Sequence, residues 1–125
     1  MVHPTLLLAA ILCVFVSAVH SVLGERKLIG PLLAPERRAA PLDSRFAGNV
    51  LRYAWHLTSL VWVGIGAVLV ALAFGPLDRS ATRTLAIIGV LFFLQGMLTL
   101  LIGRGRHHAW IIFLAIAALT FVPLL

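Results

Sequence analysis

Negative charge is what this sequence has least of. Asp and Glu together number 4 in 125 residues, against 10 Lys and Arg. Charged residues of both signs make up 11% of the chain; a soluble domain carries about a quarter, so a soluble globular fold is excluded. There is 1 cysteine, Cys13, set inside an apolar run. No internal disulfide can form, and the cysteine carries no information on redox compartment. Met1–Thr5 holds no Lys or Arg. A signal peptide opens on a basic segment, so the first apolar run is read as a retained span, although Val16-Ser17-Ala18 resembles a cleavage site. The sequence also lacks a Glu-x-x-His motif, a nucleotide-binding loop, a Ser-His-Asp order and a fixed-period repeat.

What is there is mostly hydrocarbon. Hydrophobic residues make up 62% of the chain, and the mean hydropathy is +1.08. At about 20 apolar residues per span, the chain has room for four helices and short connections. The predicted fold is all-α, a four-helix antiparallel transmembrane bundle in one domain over 1–125. Spans are expected at about 5–23, 51–74, 83–102 and 109–122, using 20 residues as the guide length. Pro4 opens the first and Gly24 is a suitable stop. A basic interfacial loop is expected over 25–44, where prolines at 31, 35 and 41 argue against a long continuous helix. Asp43 or Ser44 is the expected cap of the second helix, and Asp78 or Ser80 of the third. Gly89, Gly96 and Gly103 recur every seventh residue. Such a small-residue seam suits close helix approach and offers a route to a homo-oligomer or a larger membrane complex.

The basic residues set an orientation. Arg26, Lys27, Arg37, Arg38, Arg45, Arg52, Arg104 and Arg106 fall on one side of four spans, and Arg79 and Arg83 on the other. By the positive-inside rule both termini then lie on the non-cytoplasmic side of a bacterial inner membrane, as a multi-pass protein. The basic side meets anionic lipid headgroups, which accounts for the net charge of +6 without nucleic acid as a partner.

The chemistry is concentrated around Arg52-Tyr53-Ala54-Trp55-His56-Leu57-Thr58-Ser59. Arg52, His56 and Ser59 share one helix face at i, i+4 and i+7. His20 and His56 each lie about 6 Å inside the cytoplasmic end of their spans, at 1.5 Å per residue. His107 and His108 sit at the mouth of the fourth. Ionisable groups at such depth are costly unless they face protein or water, so they mark a candidate site. His20, His56, His107 or His108, with Glu25, form a candidate metal set suited to zinc, or to iron where coordination positions stay open. Glu25 lies about 140° round a continuous helix from His20, so it joins only if Gly24 breaks the helix. Ser17, Arg52, Ser59, Gln95 and Thr99 are candidate polar support, and Trp55 and Trp62 candidate cavity wall. A second reading takes His20 and His56 as paired haem b ligands or as the hydrogen-bonding histidines of a quinone site. A third is a proton or anion relay through His20, His56, Gln95, Thr99 and Arg52. The rival to all three is an accessory subunit with no cofactor, its polar residues bonded between helices.

Through His20-Ser21-Val22-Leu23-Gly24-Glu25 and the Arg52–Ser59 stretch, the chain resembles a group of small bacterial four-helix integral membrane proteins. The resemblance implies the fold and brings no activity with it.

Overall fold

A computed structural model describes residues 2–35 and 44–125. Among these the chain is helical, with no strand. Four helices carry the fold: α1, Pro4–Gly24; α2, Arg45–Ala73; α3, Arg79–Ile102; and α4, Ala109–Phe121, which ends in a 3₁₀ turn, Val122–Leu124. By length and composition three segments can cross a membrane: Pro4–Leu32, Arg45–Ala73 and Arg79–Ile102, with mean hydropathies of 2.6, 2.0 and 2.5. The fourth is shorter than expected of a span. Its 13 residues reach about 20 Å, short of the roughly 30 Å hydrocarbon layer even with the 3₁₀ turn added.

The caps are local and behave as the sequence predicts. Ser44 accepts from the Ala47 amide at 3.1 Å, and Asp78 accepts from Ala81 at 2.8 Å. Each satisfies an orphan donor of the first helical turn. Asp43, the alternative cap, and Arg37, Arg38 and Pro41 of the expected interfacial loop lie outside the described residues.

Gly24 does not end the first helix, contrary to expectation. The chain passes straight into a π-helical turn, Glu25–Ile29, and a final α turn, Gly30–Leu32. The reason is Pro31. In a regular helix its ring strikes the carbonyl four residues back and one hydrogen bond is missing. Here the preceding turn widens and the Gly30 amide reaches back to the Glu25 carbonyl. This is the π geometry, which admits the ring without breaking the rod. The extension is held down by Ile29 and Leu33, both buried, with Leu33 against Gly48 at the start of α2.

α1 packs along α2, α3 along α4, and the two hairpins join through α1 against α4; α2 and α3 touch little. Small residues let the backbones close: Gly66 on α2 lies against the Ala10 carbonyl and Cys13 Cβ of α1. Between the hairpins Leu6, Leu69, Leu85, Phe92 and Ile116 form the buried core. The outside is as apolar as the inside, with Leu60 65% and Ile102 80% exposed. A protein that presents bulky aliphatics outward and keeps Ser17, Ser59 and Thr120 inside is matched to a lipid surround rather than to water.

The glycine seam on α3 is occupied within the chain. Gly89 faces Thr120 and Phe121, Gly96 faces Leu114, and Gly103 faces His107. It therefore helps close the α3–α4 hairpin. The cause is the short turn between these helices, where Arg104 and Gly105 take positive φ of 48° and 73° and fold α4 directly back along α3.

Candidate functional site: a serine-bridged histidine chain beside a cavity

The polar groups of α1 and α2 meet as a continuous line. Glu25 Oε2 lies 3.2 Å from His56 Nε2. His56 Nδ1 lies 3.0 Å from Ser21 Oγ. Ser21 Oγ donates to Ser59 Oγ at 2.9 Å, and Ser59 Oγ lies 2.9 Å from His20 Nδ1. Arg52 closes the outer end, its Nη2 2.9 Å from Glu25 Oε1 and its Nε donating to Oε2 at 3.2 Å. Ser59 is buried at 6% exposure, whereas the Glu25 and Arg52 side chains are 33% and 45% exposed. The line thus runs from an exposed ion pair through buried Ser59 to half-buried His20.

His20 is fixed by aromatic rings as well. Trp55 stacks on it at 4.2 Å and 8°, and Trp62 meets it edge-on at 5.0 Å. The Trp55 indole N–H also donates to the His20 carbonyl at 3.1 Å. Gly24 permits this: a Cβ there collides with the Trp55 indole. Trp62 donates to Gln95 Oε1 at 3.3 Å, tying the α1–α2 pair to α3. Among the described residues the second ring nitrogen of His20 makes no protein hydrogen bond, and His20 lines a cavity of ≈ 820 Å³. All four helices contribute to it, Trp55, Trp62, Phe113, Gln95 and Thr99 among the lining residues. Its volume is within the range of small-molecule sites, about 300–1,000 Å³.

Several expected site residues do come together, in a different arrangement. Among the described residues no group of three His, Cys, Asp or Glu side chains is placed to hold a metal ion. The set His20, His56, His107, His108 and Glu25 is therefore not assembled: two serines separate the first two histidines, and both ring nitrogens of His56 are engaged. His107 and His108 are exposed at the cavity rim. Ser17 turns away to bond the Cys13 carbonyl at 2.6 Å. Thr99 bonds back to the Gln95 carbonyl at 2.8 Å, so it lines the cavity without joining the chain. Arg52 is an ion-pair partner, and Trp55 and Trp62 form wall as expected.

Ser21, which no sequence pattern singles out, is the link between the two histidines. Ser21 of α1 and Glu25, first residue of the π turn, stand at i and i+4 on one face of the continuous rod, opposite the face of α2 that carries Arg52, His56 and Ser59. Measuring Glu25 from His20 hides this, because the two contact α2 on different sides of one seam. No helix break is needed to bring Glu25 in.

The chain can move a proton. Ionised Glu25 accepts from His56 Nε2–H. With Ser21 donating to Ser59, Ser59 donates to His20 Nδ1 and Ser21 accepts from His56 Nδ1–H, so His56 carries the positive charge. In the opposite order every donor between the histidines becomes an acceptor, and the proton resides on His20. Passing between them, His20 gives its Nδ1 proton to Ser59, Ser59 gives its own to Ser21, and Ser21 gives its own to His56 Nδ1. Each bond broken is matched by one formed. The result is one charge moved from His20 at the cavity wall to His56 beside the Glu25 carboxylate.

Searches against protein-family models, curated proteins and solved structures find no match to this chain.

Proposed function

We propose that this is a multi-pass protein of the bacterial inner membrane, its basic end cytoplasmic. In this reading its histidine–serine chain carries protons between the Glu25 carboxylate at that surface and a ligand held against His20. The basic-residue asymmetry supports the orientation. The single observation carrying the relay is the unbroken sequence of contacts from Glu25 through His56, Ser21 and Ser59 to His20. A packing role needs only one such bond between two helices, about 0.6 kcal/mol on average. It does not call for two imidazoles joined through hydroxyls that both donate and accept. His20, with a ring nitrogen left over at the cavity, is the group that meets the ligand. Glu25 and Arg52 hold the outer end charged.

The test reads the two rings separately. Protein labelled with ¹⁵N-histidine is placed in lipid nanodiscs and its imidazole signals are followed across the histidine titration range. A relay gives interdependent titrations of His20 and His56, which become independent in Ser59→Ala and in Ser21→Ala. Independent curves in the unmodified protein, or unchanged interdependence in both variants, overturn it.

A further inference from the structure

The cavity has a cationic rim. Lys27 from the π turn and Arg106 from the α3–α4 turn supply its charge, His107 and His108 line it beside them as hydrogen-bonding groups, and no carboxylate is among its described lining residues. The shortage of acidic residues makes this a strongly one-signed opening, which focuses attraction on an anion. Behind the rim the wall is apolar and aromatic. Phe15 and Leu23 of α1 and Leu28 of the π turn line the cavity while remaining 52%, 45% and 49% exposed on the outside. The same side chains thus border both the cavity and the lipid-facing surface, leaving a hydrocarbon path between them.

We infer that the cavity binds one anionic phospholipid from the surrounding leaflet, its phosphate held by Lys27, Arg106 and His107 and its acyl chains running out past Phe15, Leu23 and Leu28. A free phosphate uses the rim but not the apolar exit, and a zwitterionic lipid uses the exit but brings its own cation to the rim. This site is the cavity on which the proposed relay opens, yet it rests on different residues and stands if the relay fails.

Native mass spectrometry of the detergent-purified protein tests it. The protein is offered phosphatidylglycerol or phosphatidylcholine with identical acyl chains at equal concentration. Retention of one phosphatidylglycerol in preference to phosphatidylcholine is expected. Lys27→Gln and Arg106→Gln each lower that retention about fivefold, the effect of one basic residue near an anionic headgroup. Arg79→Gln, at the opposite end of the bundle, leaves it unchanged. Equal retention of the two lipids overturns the inference, as does equal sensitivity to Arg79→Gln. Displacement of the lipid by inorganic phosphate at matched concentration also overturns it, since the site then reads the anion alone. The histidine titrations report on other groups, so failure of the relay and failure of lipid binding are separately visible.

Discussion

The hydroxyls of Ser21 and Ser59 lie 2.9 Å apart across the α1–α2 interface. That contact joins two halves that are otherwise separate: Glu25 with His56 on one side, and His20 in its tryptophan clamp on the other. Neither serine is conspicuous in a hydrophobic sequence. Together they turn two histidines on different helices into one connected system.

Ser59→Ala removes the bond to His20 and the bond from Ser21. At about 0.6 kcal/mol for an average interhelical bond, with a ceiling near 1.7, the loss should be about 1 kcal/mol. Unfolding in mixed micelles as the SDS fraction rises measures it. A change indistinguishable from zero means the hydroxyl is not bonded as described.

Gly24→Ala puts a methyl group where the Trp55 indole lies. The ring cannot swing away freely, because it is stacked on His20 and bonded to the His20 carbonyl. Overpacking of this kind destabilises by about 1–3 kcal/mol. The emission of Trp55, isolated by difference against Trp55→Phe, should shift as the indole leaves its clamp. Unaltered emission with unaltered stability contradicts the close approach.

Arg52→Gln should do little to stability. The pair with Glu25 is substantially exposed, and such pairs are worth about 0–1 kcal/mol. Glu25 also keeps its contact with His56. A double-mutant cycle over Arg52→Gln and Glu25→Gln gives the coupling directly, and a value well above 1 kcal/mol, by the same scale, places the pair in a drier setting than its exposure indicates.

Gly96→Leu should break the α3–α4 hairpin, because any side chain there meets Leu114 of α4. A seam turned outward to a second protein predicts a change of oligomeric state in a still-folded chain instead. Light scattering in detergent alongside the unfolding midpoint distinguishes the two. Loss of folded protein at unchanged oligomeric state is expected.

What could be read from the residues alone was whatever is local along the chain. Four apolar helices, a cap at Asp43 or Ser44 and another at Asp78 or Ser80, the basic turn after α3 and the polar face of the Arg52–Ser59 stretch all follow from composition and neighbours within a few positions. The exception within that local reading is Pro31, where a proline rule that usually ends a helix is met by widening one turn. Only the tertiary structure decided which faces meet. In a water-soluble helix an apolar stripe announces the buried side, but here lipid and core are equally apolar, so the pattern leaves rotation about each helix axis undetermined. Rotation is settled by fit, with Gly66 against Ala10 and Gly24 against Trp55. That fit brings Ser21 and Glu25, not Ser17 and His107, to His56.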